Sequence, residues 1–310
     1  MPSIAYFGPR GTFSEQAALA ANRPDHTLVP EATVPEALAA VRHGRADLAC
    51  VPVENSVEGA VSATMDALAV DEPLVAVAEV VLPVRFSLLA RPGSTLADIK
   101  SVASHPHALA QVQGWLAKHL SHATQLAATS TAGAAVGVLD GHCDAAITAP
   151  VAAVHYGLDV LETGIADVDD AVTRFLVLQR PGTPPAPTGS DRTSVVAVAA
   201  YQRTGVLAEM LTELALRGIN LSRIESRPMK GRLGEYRFYL DFDGHVAERR
   251  VADALAALHR RCHEVRFLGS YPKADGTPTL AGTDNTDADY TAATDWVARL
   301  CDGRTDGSAR

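Results

Sequence analysis

The amino-acid sequence predicts an α/β protein, a two-lobed ligand-binding fold followed by a ferredoxin-like βαββαβ domain. Three observations carry this expectation. Short strand-like runs alternate with helical ones up to residue 180, the pattern of α/β folds with largely parallel sheets. The stretch RPGTPPAPTGSDR, residues 180–192, is rich in proline, glycine and small polar residues, as a linker is. After it the order changes to strand, helix, strand, strand, helix, strand.

Taken in order, IAYFG leads into a helix at SEQAALAA, and ADLACVPV into one at VEGAVSATMDALA. VAVAEVVLPVRFSLLA reads as a long strand that crosses from one lobe to the other. SVASH precedes a helix at PHALAQVQGWLAKHL, ATQLAAT one at TAGAAVGVLDG, and CDAAIT one at PVAAVHYG. The chain then returns near GLDVLETG and ends in the first lobe with the strand VTRFLVLQR. Beyond the linker, TSVVAVAAY is a strand, GVLAEMLTELALRG a helix stopped by Gly218, and INLSRIESRPM a strand. GRLGE is a turn, YRFYLDFDG a strand, AERRVADALAALHRRC a helix and EVRFLGSYP a strand. Residues 273–310 form a polar tail with a short helix from about Tyr290 to Cys301.

Composition narrows the function. The 310 residues are 47% apolar and 20% charged, an ordinary globular mixture large enough for two domains. A net charge of −9 and the lack of a basic arm argue against a nucleic-acid partner. The start MPSIAYFGPR has no signal-peptide pattern, which points to the cytoplasm. The apolar runs are too short or interrupted to span a bilayer, so no membrane role is expected. Cys50, Cys143, Cys262 and Cys301 form no C-x-x-C pair. Reduced structural thiols are the expectation. No histidine cluster has metal-ligand spacing, so no metal site is predicted.

The chemistry-bearing positions gather at strand-to-helix junctions. Gly8 and Gly11 in GPRGTFS permit a tight turn, and Thr12 or Ser14 can cap the helix that follows. Asn55 or Ser56 stands before the next helix, Ser104 and His105 before Pro106, Ser130 and Thr131 before another, and Thr148 before Pro150. Each junction offers unpaired N–H groups at the positive end of a helix dipole. In an open α/β sheet such junctions share one edge, which suits a small carboxylate-bearing ligand. Any one of them is equally explained as an ordinary cap. No phosphate loop, G-x-G-x-x-G or G-x-S-x-G motif is present. In VTRFLVLQR, alternation puts Thr173 and Phe175 on one face and Arg174 on the other. A hydroxyl beside a ring fits a ring-shaped substrate. From the residues alone, a half-buried strand whose Arg174 pairs with a carboxylate is the preferred reading. Glu54 and Glu58, flanking Asn55 and Ser56, can serve as acid or base or simply complement a helix start.

Over residues 3 to 272 the chain resembles the bacterial prephenate dehydratases. The matching words are GPRGTFSEQAA (8–18), VPVENSVEGAV (51–61), SHPHALAQVQGWL (104–116), DAAIT (144–148), TRF (173–175), RGINLSRIESRP (217–228) and LGSYP (268–272). The resemblance implies a periplasmic-binding-protein-like catalytic domain over 1–180, a linker over 181–192 and an ACT regulatory domain over 193–272. It implies decarboxylative dehydration of prephenate to phenylpyruvate in phenylalanine biosynthesis without metal or organic cofactor. It further implies control by L-phenylalanine and a homodimer or homotetramer. The implied catalytic residues are Thr173, Phe175 and Glu58. The implied substrate-binding residues are Thr12, Phe13, Ser14, Asn55, Ser56, Gly59, His105 and Thr131, to which the junction before Pro150 adds Thr148. Effector binding is implied for Gly205, Val206, Leu207, Glu225, Ser226, Arg227 and Pro228. Two departures stand out: Asp169-Asp170-Ala171-Val172 replaces an asparagine-rich run, and Thr204-Gly205-Val206-Leu207 replaces Pro-Gly-Ala-Leu. An arogenate dehydratase and a non-catalytic two-lobed cytosolic sensor are the competing functions.

Overall fold

The computed structural model describes the chain to residue 304, apart from residues 22, 169, 200–203, 230–231 and 280–281. Asp169, the end of the strand expected at TSVVAVAAY, and the first residue of the GRLGE turn lie outside the described residues, as do 305–310. The chain divides into two compact units, 1–74 with 78–181, and 75–77 with 182–310.

The first unit opens with β1 (Ser3–Phe7), α1 (Phe13–Ala20), β2 (Thr27–Glu31), α2 (Val34–Arg42), β3 (Leu48–Asn55), β4 (Gly59–Ala60), α3 (Ser62–Val70) and β5 (Val75–Pro83). It continues with β6 (Ser87–Ala90), β7 (Ser101–Ser104), α4 (Pro106–Ala110), α5 (Gln113–His119), β8 (Thr124–Ala127), α6 (Thr131–Leu139), β9 (Ala145–Thr148), α7 (Val151–Tyr156) and β10 (Asp159–Thr163), and closes with β11 (Val172–Gln179). These build two sheets, one per lobe. The first has the order β2-β1-β3-β11-β5 with β4 on β3, and the second β10-β6-β9-β7-β8. Both are mixed, not largely parallel. β11 runs antiparallel to β3, and β6 antiparallel to β9 and β10, while β1 and β7 run parallel to their neighbours. Apart from the two-residue β4, which turns back on β3, the antiparallel strands are those at the crossings between lobes, where the chain enters each sheet from the other.

The run expected as one crossing strand splits into β5 and β6. Residues 84–86 between them lie beside the returning segment, Val84 N–H donating to Ala171 O at 2.7 Å and Ile165 N–H to Phe86 O at 3.3 Å. The helix expected from Val57 begins only at Ser62. The Asn55 carboxamide oxygen accepts from Val57 N at 2.8 Å and Glu58 N at 2.9 Å, which makes a turn instead. Gly59 follows at φ +80°. The long helix expected over 106–120 breaks into α4 and α5 because Asp167 caps the second piece. Its carboxylate accepts from Gly114 N at 3.0 Å and Trp115 N at 3.1 Å. β2 and α2 fill a region for which no element was expected. Thr33 caps α2, and Val34, Ala37, Leu38 and Val41 form its buried stripe.

The second unit is antiparallel. β12 (Asp191–Ala199), α8 (Val206–Ala215), β13 (Leu221–Met229), β14 (Arg232–Asp243), α9 (Arg249–Arg261) and β15 (Cys262–Pro272) give the sheet order β13-β14-β12-β15. The ferredoxin-like expectation agrees with this order. Met210 and Leu214 of α8 and Val251 and Leu258 of α9 cover Val195, Leu240 and Phe242. Residues of the expected GRLGE turn extend β14 instead, and the tail helix α10 (Asp287–Cys301) starts three residues before Tyr290, at a Thr286–Asp289 capping box. Among the described residues no helix is long and apolar enough to cross a membrane.

Candidate active site

The first unit holds a cavity of about 350 Å³ between its lobes, the size range of small-molecule sites. Its first wall is the turn after β1. Gly11 is obligatory there: its φ is +84°, and a Cβ would lie 2.8 Å from the Tyr156 ring. The turn delivers Thr12, whose hydroxyl caps α1 by accepting from Glu15 N at 3.3 Å, and then Phe13 and Ser14. All three line the cavity.

Thr173 and Asn55 form its floor. They face each other across the β11–β3 ladder, 118 residues apart in sequence. Asn55 Nδ2 donates to Thr173 Oγ1 at 2.8 Å. The orientation of that amide is settled by its surroundings, since Oδ1 is already the acceptor for two backbone N–H groups and only the NH₂ can face Thr173. Thr173 Oγ1 is therefore the acceptor of this bond. Phe175 lies two residues on, buried, with its ring at the same wall. Phe86 packs edge-on against Phe13 with centroids 5.4 Å apart, so two rings from opposite sides of the lobe crossing meet at the cavity.

Arg174 points the other way, as strand alternation requires. Its Nε donates to Glu79 Oε2 at 2.8 Å, with side-chain exposures of 10% and 2%, and Nη1 lies 3.9 Å from Glu54. The pair ties β11 to β5 and β3 directly behind Thr173, where the ladder register shifts between Arg174 and Phe175.

The second lobe contributes helix starts. His105 caps α4, its Nδ1 accepting from His107 N at 3.3 Å, and Pro106 takes the first helical position. Burial, with the neighbouring His107 charge, lowers the His105 pKa, against an upward pull from Glu58. Ser130 caps α6 by accepting from Gly133 N at 2.8 Å, and Thr131 opens that helix. Glu58 reaches across from the first lobe. Gln111 Nε2 donates to its carboxylate at 3.4 Å, and His107 Nδ1 stands 3.9 Å away. The side chain bonded to Thr173 is thus Asn55.

Thr12, Phe13, Ser14, Asn55, Glu58, His105, Thr131, Thr173 and Phe175 all line the one cavity. Three expected residues do not. Ser56 instead braces the start of β11, exchanging bonds with Val172 through its N–H and its hydroxyl. Gly59 is exposed in β4, with open space around it. Thr148 is fully buried at the end of β9 opposite Ser87, and Pro150, without a side-chain bond, precedes α7. Its expected capping role fails because the helix starts one residue beyond the proline. Gln111, His107 and Phe86 were missed, and Ser130, expected only as a helix cap, lines the cavity too. His107 and Ser130 were visible beside expected residues, whereas Phe86 emerges only from the break between β5 and β6.

In the second unit Gly205 is the cap of α8 at φ +86°, and Val206 and Leu207 pack from the first turn onto the core. Glu225, Ser226, Arg227 and Pro228 lie on β13, an edge strand. Glu225 makes ion contacts with Arg227 at 3.8 Å and Arg223 at 4.0 Å.

The prephenate dehydratase family model matches residues 4–183 and the ACT domain model residues 194–260. The prephenate dehydratase of Amycolatopsis methanolica is 60% identical over 301 residues, covering 97% of this chain and 98% of its own. The crystal structure of prephenate dehydratase in complex with L-Phe from Arthrobacter aurescens superposes with a TM-score of 0.92 at 46% identity, covering 97% of this chain and all of that one. A protein described as a novel type of quorum quenching acylase superposes with a TM-score of 0.79 at 33% identity over 87% of this chain and 97% of its own. The full-length likeness to curated relatives and the two matching family models show the family: this chain belongs to the prephenate dehydratase family.

Proposed function

We propose that the chain binds prephenate in the inter-lobe cavity and converts it to phenylpyruvate, with Thr173 as the hydrogen-bond donor to the departing hydroxyl. The Asn55–Thr173 bond carries this reading. Prephenate has a ring carboxylate, a pyruvyl carboxylate and a ring hydroxyl. As the ring carboxylate leaves as carbon dioxide, its bonding electrons enter the ring and the C–O bond opposite breaks, giving an aromatic product. The protein must hold a dianion and help hydroxide depart. The starts of α1 and α6, with their capping hydroxyls, are preorganised dipoles for the carboxylates. Thr173, already accepting from Asn55, is polarised and aimed to donate. Phe13, Phe86 and Phe175 offer ring faces and edges to the six-membered ring.

For the second unit, the proposal is an L-phenylalanine site at Gly205–Leu207 and 225–228, formed where two copies meet along the open β13 edge, in a homodimer or homotetramer. The Arthrobacter structure in complex with L-Phe supports phenylalanine as the ligand. Phenylalanine then inhibits by binding a less active arrangement more tightly. Catalytic residues 1–180 joined through 181–192 to regulatory residues 193–272, in a cytoplasmic protein, complete the proposal.

One fold hosts several chemistries, so turnover decides. Pure protein incubated with prephenate is expected to yield phenylpyruvate, and arogenate in parallel to react much more slowly. Preferred turnover of arogenate identifies an arogenate dehydratase. Binding of either compound without turnover identifies a sensor.

A further inference from the structure

The turn that forms one cavity wall is held from behind by a buried carboxylate. Thr12 and Glu15 are spaced as a capping box, in which the glutamate would return to the cap's own N–H. Glu15 does something else. Its side chain is 4% exposed, and Oε2 accepts from Gly11 N at 2.6 Å and from His155 Nε2 at 2.8 Å. Tyr6 donates its hydroxyl to Oε1 at 3.2 Å. A carboxylate only accepts, so Nε2 is the protonated nitrogen of His155. One residue on, the Tyr156 hydroxyl donates to Arg10 O at 2.7 Å, and its ring covers Gly11. His155 and Tyr156 end α7 in the second lobe, whereas Gly11 and Glu15 belong to the first. Helix capping alone gives no reason to bury the charge, since Thr12 already satisfies the Glu15 amide. An ionised carboxylate taken out of water is retained when several donors converge on it.

We propose that Glu15, His155 and Tyr156 form a clasp between α7 and the Arg10–Thr12 turn, and that Glu15 and His155 are positioning residues setting the wall against which substrate binds. None of the three lines the cavity. The clasp rests on the prephenate assignment above for its kinetic consequence, but not for its structural one.

The test uses the full chain with His155→Ala, His155→Gln and Tyr156→Phe. Two quantities are measured: steady-state kinetics with prephenate, and hydrogen exchange at the Gly11 amide. His155→Ala is expected to raise KM about tenfold, the worth of one bond to a charged group, with kcat within about twofold. Exchange at Gly11 accelerates by a similar factor. His155→Gln, which keeps a donor near the Nε2 position, restores both. Tyr156→Phe shifts both in the same direction as the alanine variant. Gly11 exchange at the parent rate in both His155→Ala and Tyr156→Phe overturns the clasp, as does a His155→Gln variant no better than alanine. A fall in kcat at unchanged KM overturns the positioning role. If the parent protein does not turn over prephenate, the functional assignment fails, and Gly11 exchange still decides the clasp.

Discussion

Replacing Asn55 by aspartate separates the polarity of its bond to Thr173 from its role in the turn. The Oδ1 atom accepts from Val57 N at 2.8 Å and Glu58 N at 2.9 Å. An aspartate keeps an oxygen there, so the turn survives. At the other atom a donor becomes an acceptor, 2.8 Å from Thr173 Oγ1. The threonine hydroxyl must then rotate and donate to the carboxylate, withdrawing its proton from the cavity. A hydrogen bond to a charged group is worth about 1.5–3 kcal/mol. Breaking it to serve the leaving oxygen adds that amount to the barrier, which at 1.36 kcal/mol per decade lowers kcat roughly 10- to 150-fold. The assay is steady-state turnover of prephenate at neutral pH, beside circular dichroism and a urea midpoint showing an intact fold. An Asn55→Asp protein with native spectra and the parent kcat refutes the claim that Asn55 aims the Thr173 proton.

Further expectations follow from neighbouring residues. Thr173→Ala should lower turnover about 10²- to 10⁴-fold, and Thr173→Ser should keep much of it, since a hydroxyl remains; steady-state rates decide. In the double variant Asn55→Asp with Thr173→Ala, the loss should match Thr173→Ala alone, because both act through one proton; additive losses would separate the two residues. Glu79→Ala removes a partner 2.8 Å from a buried guanidinium and should destabilise the protein by about 3 kcal/mol in urea unfolding. Gly205→Leu forces a branched side chain onto a backbone at φ +86° and should abolish phenylalanine binding, measured by calorimetry.

Much of the fold was legible because its signals are local. Gly11, Thr12 and the alternation of Thr173, Arg174 and Phe175 can be read within a few residues, and the structure places them as that pattern requires. The largest local error, a helix from Val57, arose because an apolar stretch was scored by composition. The deciding interaction was the Asn55 carboxamide turning back onto its own backbone. Partnerships across the chain were not legible. Nothing near Arg174 names Glu79, 95 residues earlier, as its partner. Asp167 interrupts the helix at Gly114 from a segment 53 residues away. Asn55, expected only to line the cavity, is also hydrogen-bonded to Thr173, 118 residues away.

The position of β11 also governs how the molecule is made. It is the last strand of the first unit, yet it lies between β3 and β5 in the sheet order. Until residues 172–179 leave the ribosome, the first lobe is a sheet with a gap in its middle, presenting two unsatisfied interior edges. The chain must first build the whole second lobe and only then return to fill the gap. Thr173 therefore arrives on the element that completes the first lobe's sheet. A nascent chain interrupted within the second lobe has neither a sealed sheet nor a Thr173. Such a truncated product presents sticky edges to chaperones and proteases, and no half-formed catalyst is released.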